Sequence, residues 1–450
     1  MSTPLPSIPG RPPFAVRARI ATPLDDGRFA DYPDGLLAVD AHGRIEWVGH
    51  AADAGDRVAR AADLRPLVLL PGLIDLHAHL PQLPNAGLGF GTDLLAWLDR
   101  YVFPLEERMR NPVAARSLAD AAFRAFAAVG TTTVVAYTTV FKVSADAAFE
   151  AAEAHGIRAV LGKVMMDRLT YDRMIDPATI LDRSLRETAE LIERWHGAAD
   201  GRLGYAVTPR FAVSCTRDLL RESAALAAQT GTWWQTHISE DTREIAEVGA
   251  LFPEAIDYVD VYERAGGLSE RAILAHAVHL SDREIARLVE TGSRVAHCPS
   301  SNLFLDSGVM PLSRYLEAGL AIGLGTDVAG GPDTSLFDVM RAGAYSQAAL
   351  RTLGSEDRPL LEPFEWLRLA TLDGARALGL DDRIGSLEAG KEADLVAIDP
   401  RLSDPLRGDA DVPADAPDLV SRLIFRSHAE MVRAAWVRGR RLDGPGASGV

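Results

Sequence analysis

Residues 69–79 read LLPGLIDLHAH, an apolar run that ends in two histidines. Such a run predicts a buried strand, and side chains two positions apart on a strand point to the same side. The imidazoles of His77 and His79 should therefore lie next to each other at the strand end. A neutral imidazole is the commonest protein ligand for a divalent metal, so the pair predicts two corners of a metal site. An isolated pair could equally be packed or surface histidines, and the interpretation depends on the rest of the chain.

Seven further apolar segments follow, mostly at intervals of tens of residues, and each ends in polar or turn-forming residues. They are 132–139, 159–166, 203–211, 232–240, 272–279, 294–299 and 321–327, after a first segment at 68–79. Helical patterns lie between them, at 114–129, 145–155, 184–196, 218–230, 282–290 and 312–318. Eight β segments alternating with helices predict a parallel (β/α)8 TIM barrel. A doubly wound open sheet is the alternative, but it would need a glycine-rich loop after the first strand, and residues 81–84 (PQLP) are not one.

The two ends of the chain predict a second, smaller unit. Residues 15–22 and 35–49 alternate like short strands, and 395–398 and 431–437 are strand-like near the other end. The simplest arrangement pairs them in a small β-sandwich domain formed by residues 1–66 and 384–450, around a barrel at 67–383. The long segment 81–111 after the first strand is a predicted lid or substrate wall, because such insertions form the mouth of a barrel. The Asp-, Ala- and Pro-rich residues 404–417 predict an exposed loop.

Composition limits the partners. The net charge of −16 argues against nucleic acid and acidic membrane surfaces. Cys215 and Cys298 are the only cysteines, so no disulfide framework is expected and a reducing compartment fits. No stretch reaches the roughly 18 uninterrupted apolar residues of a membrane helix. We therefore expect a soluble cytoplasmic protein that acts on a small molecule.

Polar residues stand at the ends of several predicted strands, and strand ends converge at the carboxyl face of a barrel, where active sites lie. His237 and Glu240 end the fifth strand, His276 the sixth and Asp327 the eighth. The predicted metal ligands are His77, His79, His237 and Asp327. Three nitrogens and one oxygen suit Zn²⁺ best, with Fe²⁺ or Mn²⁺ possible, and leave a position for water. The alternatives are packed histidines, and for Asp327 a helix N-cap.

The end of the fourth strand bears on the number of metals. Two-metal barrel hydrolases often bridge their ions with a carboxylated lysine at this position. Here the strand ends in Arg210, whose guanidinium cannot be carboxylated. The sequence therefore favours a single metal.

These motifs resemble the amidohydrolase superfamily and, more narrowly, its guanine deaminases. The resemblance covers nearly the whole chain from residue 71 to 395. Its motifs are PGLIDLHAH at 71–79 with Gln82, LLAWL at 94–98 with FP at 103–104, GKVMMD at 162–167, TPRF at 208–211, HISE at 237–240, HCPSSNL at 297–303 and GLGTD at 323–327.

The resemblance implies hydrolytic deamination of guanine to xanthine and ammonia by hydroxide activated at one Zn²⁺. Glu240 would shuttle the proton, His276 would hydrogen-bond the attacking oxygen, and Asp327 would accept a proton as well as bind the metal. The implied substrate contacts are Gln82, Arg210, the Phe211 backbone and Trp97. A homodimer is also implied.

Two departures from the family pattern leave the substrate open. Leu83 and Pro84 follow Gln82 where an aromatic or polar residue is common, and Phe141 stands where a histidine is expected. The alternative is therefore a deaminase of a related heterocycle, such as 8-oxoguanine, a pterin or an s-triazine. A catalytically inactive scaffold is the alternative from another class, but such proteins lose metal ligands and none is missing here.

Overall fold

The computed structural model describes residues 7–170, 176–404 and 413–442. Within these ranges the strands are β1 (Phe14–Pro23), β2 (Phe29–Val39), β3 (Ile45–His50), β4 (Ala62–Pro71), β5 (Leu73–His79), β6 (Thr131–Tyr137), β7 (Arg158–Gly162), β8 (Val164–Met165), β9 (Leu203–Pro209), β10 (Trp233–Ile238), β11 (Ala272–His276), β12 (Arg294–His297), β13 (Ala321–Leu324), β14 (Leu395–Ile398), β15 (Val432–Val437) and β16 (Arg440–Arg441).

The helices of the described residues are α1 (Leu94–Trp97), α2 (Phe103–Glu107), α3 (Pro112–Ala128), α4 (Lys142–His155), α5 (Pro177–Trp195), α6 (Ala198–Gly201), α7 (Arg217–Thr230), α8 (Thr242–Leu251), α9 (Tyr258–Ala265), α10 (Asp282–Thr291), α11 (Pro299–Phe304), α12 (Leu312–Glu317), α13 (Leu336–Thr352), α14 (Pro363–Leu369), α15 (Leu372–Leu378) and α16 (Ala416–Phe425). None of these helices combines the length and the apolar character that a membrane span requires.

Eight strands form a parallel barrel in the order β13-β12-β11-β10-β9-β7-β6-β5, and the short β8 pairs with β9. The ring closes between β5 and the residues that follow β13. The amide of Asp327 donates to the carbonyl of His77 at 2.7 Å, and the amide of His79 donates to the carbonyl of Val328 at 2.8 Å. The predicted TIM barrel is confirmed, and its closing seam runs through three of the predicted metal ligands, His77, His79 and Asp327.

Apolar side chains fill the barrel beneath the carboxyl end. Ile74, Val135, Val160 and Ile273 form one buried cluster with residues of α15. Close approach of α15 depends on Gly323, where a Cβ would lie 2.6 Å from Leu76 Cδ1 and 3.1 Å from the Gly374 Cα. The filled interior is characteristic of small barrels, which are packed cores rather than pores.

A second sheet has the order β16-β15-β14-β4-β1-β2-β3 and joins both ends of the chain. Strand β14 pairs antiparallel with β4 and β15, as predicted for the returning C-terminal segment. The edge strand β3 also contacts the segment that leads into β14: the amide of Ile45 donates to the Lys391 carbonyl at 2.8 Å. Its inner faces share one apolar cluster, which includes Ile20, Leu69 and Trp436.

The prediction of one strand over 68–79 is wrong, because two strands of different sheets meet there. β4 ends at Pro71 in the small sheet, and β5 begins at Leu73 in the barrel. The chain crosses at Gly72, where a Cβ would lie 2.1 Å from Thr132 Oγ1. Both halves are apolar, so hydrophobic periodicity alone cannot detect the crossing.

The boundaries 1–66, 67–383 and 384–450 stay a prediction, although the small sheet takes in β4 up to Pro71. Of the predicted loop 404–417, residues 405–412 lie outside the described residues. Its last two positions, 416 and 417, begin helix α16.

Candidate active site

A cavity opens at the carboxyl end of the barrel. Nearly all the residues singled out from the sequence line it. The lining residues are His79, Gln82, Leu94, Trp97, Leu98, Arg210, Phe211, His237, Glu240, His276, Leu305 and Asp327. His77 lies beneath this surface, with its ring centroid 4.8 Å from that of His237. Residues far apart in the sequence are thus brought together as the strand-end pattern predicts.

The predicted metal ligands form a compact cluster of ring nitrogens around one carboxylate. Asp327 Oδ1 lies 3.1 Å from His77 Nε2 and 3.3 Å from His79 Nε2. The Nε2 atoms of His79 and His237 are 3.1 Å apart. Ligand atoms of His77, His237, His276 and Asp327 also lie within 4.8 Å of one another. Five side chains are therefore close enough to hold or surround a single ion.

The orientation of the rings fits a metal better than a hydrogen-bonded core. His237 Nδ1 lies 2.6 Å from the Arg210 carbonyl, an acceptor, so Nδ1 carries the proton and Nε2 presents a lone pair to the cluster. His77 Nε2 is buried and has no hydrogen-bond partner among the described residues. Such fixing of the ligand ring by a carbonyl is usual around metal-binding histidines. Three nitrogens and a carboxylate oxygen match the ligand set of a divalent transition metal.

Burial favours the neutral form of the His79 and His237 imidazoles, which is the form that binds a metal. It lowers the pKa of His79 to about 4 and holds that of His237 well below its usual range. The neighbouring rings of His77 and His79 lower the pKa of His237 further. Burial alone would raise the pKa of Asp327, but the ring nitrogens of His77 and His79 outweigh it and hold that pKa well below the usual range.

Hydrogen bonds fix Asp327 in a strained backbone position. Its φ is +48°, in the left-handed region that non-glycine residues rarely adopt. Ser301 Oγ donates to Asp327 Oδ2 at 2.6 Å. The preceding Thr326 donates through its amide (3.0 Å) and its hydroxyl (2.6 Å) to Asp75, which is fully buried on β5. Burial raises the pKa of Asp75 to about 6.

Glu240 is positioned at the rim of the cluster by the loop after β10. Its side chain is buried, and its Oε2 lies 3.4 Å from His276 Nε2 while its Oε1 accepts a hydrogen bond from Ser307 Oγ at 3.3 Å. Its amide donates to Glu244 Oε2 at 2.9 Å. Burial, followed by the negative charges of Asp327 and Glu244, raises the pKa of Glu240 well above its usual range. A carboxyl whose pKa is raised in this way is suited to take up a proton and deliver it.

His276 differs from the other histidines in what it faces. Its Nδ1 lies 2.9 Å from the side-chain nitrogen of Asn302, a donor, so Nδ1 accepts and Nε2 carries the proton. That Nε2 is 3.4 Å from Glu240 and 3.9 Å from Asp327 Oδ2. Burial lowers the pKa of His276 to about 3, so the ring is neutral. In this tautomer Nε2 of His276 can donate a hydrogen bond into the cluster.

The opposite wall of the cavity carries a buried polar group. Glu106 on α2 accepts a hydrogen bond from Gln82 Nε2 through Oε1 and from Arg210 Nη1 through Oε2, both at 2.8 Å. The guanidinium of Arg210 lies over the ring of Phe103, 5.5 Å from its centroid. Planar stacking and a paired carboxylate hold the guanidinium at the cavity edge.

Apolar groups complete the walls. Trp97 is buried, and its indole nitrogen donates to the Leu88 carbonyl at 2.9 Å, so it offers its ring rather than its polar atom. Phe211 follows β9 in extended conformation, and its carbonyl accepts from the Ser214 amide at 3.1 Å. A flat aromatic molecule suits such walls.

The two departures from the family pattern lie outside the cavity. Phe141 packs beneath the guanidinium of Arg110, 4.8 Å from its ring centroid, and Leu83 packs against the main core. Neither they nor Pro84 are among the described residues that line the cavity.

Sequence reasoning missed the groups that hold the site residues in place. Tyr137 packs its ring 4.6 Å from that of His79, while Glu106, Asn302 and Ser301 supply the hydrogen bonds described above. Asn302 and Ser301 lie in a family-like motif, HCPSSNL, which could have pointed to them. Nothing in the sequence around Glu106 pointed to its two partners.

Known proteins share this fold and sequence. The model of the Amidohydrolase family matches residues 68–442. A probable guanine deaminase of Deinococcus radiodurans is 39% identical over 437 residues, which cover 95% of this chain and 94% of that protein. The solved structure of E. coli guanine deaminase superposes with a TM-score of 0.88 at 33% identity, covering 96% of this chain and 99% of the other. Guanine deaminase from C. acetobutylicum, solved with guanine in its active site, superposes with a TM-score of 0.87 at 27% identity, covering 96% and 100%.

Proposed function

This chain belongs to the amidohydrolase family, and we propose that it hydrolyses guanine to xanthine and ammonia. The observation that carries the proposal is the composition of one cavity. It joins a histidine–aspartate cluster, the buried carboxyl of Glu240 and a polar edge formed by Gln82 and Arg210. Likeness to guanine deaminases over nearly the whole chain supports the choice of substrate.

We propose that His77, His79, His237 and Asp327 hold one Zn²⁺, with Fe²⁺ or Mn²⁺ as alternatives that this ligand set also accepts. When bound, such an ion supplies Lewis acidity that lowers the pKa of water to about 7. The end of β9 carries Arg210 rather than a lysine, which favours one ion over two.

Glu240 is proposed to carry the proton. It would take one proton from the attacking water and place it on a ring nitrogen of guanine, and then deliver the second water proton to the amino group, which leaves as ammonia. His276 donates from Nε2 to the attacking oxygen as negative charge builds there. Asp327, held by Ser301, is placed to accept a proton from the same water. The overall reaction converts guanine and water to xanthine and ammonia.

The flat ring of guanine would lie against Trp97 and Phe211, with its polar edge toward Arg210 and Gln82. A guanidinium can donate two parallel hydrogen bonds to adjacent acceptors, such as a carbonyl oxygen and a ring nitrogen. The amide of Gln82 supplies one more polar contact. We propose the backbone of Phe211 as a further contact to the substrate.

A substrate panel tests the function. The zinc-loaded protein is offered guanine, 8-oxoguanine, isoxanthopterin, an amino-s-triazine, cytosine and adenine, and ammonia release is measured for each. We expect guanine to have the highest kcat/KM. Robust turnover of another member without turnover of guanine would refute the substrate and keep the reaction class. Metal analysis of the protein as isolated tests the choice of ion.

We also propose a homodimer in the cytoplasm, as the family resemblance implies. Light scattering on the purified protein measures the oligomeric state directly. A fluorescent fusion in the native host would locate the protein.

A further inference from the structure

Glu106 is the buried charged group that links the two polar side chains of the substrate edge. Its side chain is fully buried on α2 and is absent from the described residues that line the cavity. Its two oxygens accept one hydrogen bond each, from Gln82 Nε2 and Arg210 Nη1, both at 2.8 Å. Glu106 therefore touches both groups that face the substrate but not the substrate itself.

The bond to Gln82 decides which end of that amide faces the cavity. Gln82 is almost fully buried and lines the cavity. Its Nε2 is bound to Glu106, and its Oε1 is buried without a hydrogen-bond partner among the described residues. A flipped amide would place an oxygen 2.8 Å from a carboxylate. Such an approach of two acceptors is strongly unfavourable in a dry site.

We infer that Glu106 is a positioning residue that makes Gln82 present an acceptor, and Arg210 its donors, to the substrate. The inference rests on the proposed function and sharpens its specificity. A substrate must then place an N–H against Gln82 and an acceptor against Arg210. Guanine carries both kinds of group on neighbouring atoms of one edge, whereas a heterocycle edge with only acceptors would leave Gln82 Oε1 unpaired and be rejected.

The first test is Glu106→Gln in the metal-loaded protein. The new amide offers one acceptor and one donor. If its oxygen keeps the bond from Arg210, its nitrogen can donate only to Gln82 Oε1, so Gln82 flips and turns its Nε2 donor toward the cavity. We expect the KM for guanine to rise about 30-fold, with kcat changed far less, because a mismatched polar group in a buried site costs this much. Metal content should stay at the wild-type value. Glu107→Gln, at the exposed neighbouring position on the same helix, is the matched control and should behave as wild type.

A charge swap separates positioning from a general loss of structure. Gln82→Glu alone sets two carboxylates against each other and should abolish guanine turnover. Adding Glu106→Gln restores every bond, because the new amide at position 106 donates to the new carboxylate at position 82 and accepts from Arg210. The second oxygen of that carboxylate again offers an acceptor to the cavity. We expect the double variant to exceed either single variant in kcat/KM by about tenfold.

The results for Glu106→Gln and the double variant can each overturn the inference about Glu106. A KM for Glu106→Gln within twofold of wild type, or a folded double variant no better than the single ones, would overturn the inference. Loss of folding in both Glu106→Gln and the double variant, seen by thermal melting, would also overturn it and assign Glu106 to the stability of the barrel mouth. Failure of the wild type to release ammonia from guanine would refute the proposed function instead. The same variants are then compared on the heterocycle that the wild type does deaminate.

Discussion

Glu240 is the residue whose electrostatic setting most directly bears on chemistry. Burial and the charges of Asp327 and Glu244 raise its pKa, while Ser307 and His276 fix its two oxygens. A proton can therefore be held on this carboxyl and delivered along a defined direction. The same burial lowers the pKa of His79, His237 and His276, so one dry environment favours neutral imidazoles next to a carboxyl that can hold a proton.

Glu240→Gln should abolish turnover while leaving the metal in place. The amide is isosteric but cannot take up and release a proton, and general acid–base catalysis of this kind is worth about 10³-fold. The measurements are kcat by ammonia release and metal content by elemental analysis. Glu247→Gln, exposed on the following helix α8, is the control. Substantial activity in Glu240→Gln would show that another group carries the proton.

Asn302→Asp should reduce kcat by changing the tautomer of His276. The carboxylate accepts from Nδ1, so the proton moves to that nitrogen and Nε2 becomes a lone pair that cannot donate to the attacking oxygen. We expect kcat to fall about 10²-fold, as losing one such donor does, with a smaller change in KM. Asn111→Asp, which keeps an N-cap at the start of α3, is the control. Unchanged kcat would mean that His276 does not act through Nε2–H.

Residue types at strand ends predicted the groups that face the cavity, but not the groups behind them. His237, Glu240 and Asp327 each follow an apolar run, so the barrel topology alone brings them together. Glu106 and Asn302 lie on short helices whose partners are set by tertiary packing. No local pattern encodes such a contact, which appears only when distant segments are folded against each other.

At the scale of elements, the insertion between β5 and α3 forms one side of the cavity through Gln82, Leu94, Trp97 and Leu98. Its length and position after the first barrel strand predicted this location. Its glycines set how closely it can pack. Gly89 has φ +90°, and a Cβ there would lie 2.6 Å from Trp97 Cδ1.

Gly89→Ala should therefore displace Trp97 and loosen the wall. We expect the KM for guanine to rise about tenfold, since overpacking of a tight site costs about 1–3 kcal/mol, while kcat changes little. Gly87→Ala is a matched control, because its φ is also positive (+80°) but a Cβ would meet nothing within 4 Å. Both variants carry the backbone strain of a positive φ, but only Gly89→Ala places a Cβ against Trp97. Equal effects on KM would show that strain alone matters.

The strands of the barrel were predictable because each is an apolar run of suitable length. The helix predicted at 282–290 also agrees closely with α10, which begins at Asp282 after its Ser281 cap. The division at Gly72 was not, because the apolar residues 67–70 at the end of β4 and 73–74 at the start of β5 resemble one run although they belong to two sheets. Hydrophobicity reports burial without reporting which core a residue enters. The Pro71-Gly72 pair between the two runs is a local sign of the crossing.

At the scale of the whole molecule, the barrel and the small sheet are joined by a buried group of charges. Glu392, just before β14, accepts from Arg158 of barrel strand β7 at 2.6 Å. Its oxygens also accept from Arg383 at 2.8 Å and from Arg438 at 2.7 Å. Partial burial would raise the pKa of Glu392, but the charge of Arg158 and the bonds from Arg438 and Arg383 outweigh it and hold that pKa at about 2. The joint between the two sheets therefore depends on an ionised carboxylate.

Glu392→Gln should lower stability at pH 7 and flatten its dependence on acid. The folded-state pKa of about 2 lies below the ordinary value of 4.5, so the unfolded chain binds more protons between these values. The stabilisation is complete above pH 4.5 and is lost as the pH falls toward 2 in the wild type. Without the carboxylate this loss of stability with acid disappears. Arg158 stays buried with one partner fewer, which costs about 3 kcal/mol of unfolding free energy at pH 7.

Urea unfolding at about pH 7 and about pH 3.5, on either side of the ordinary carboxyl pKa, measures both effects. The exposed Glu430→Gln is the control. Equal loss of unfolding free energy between the two pH values in Glu392→Gln and wild type would show that acid acts on other groups.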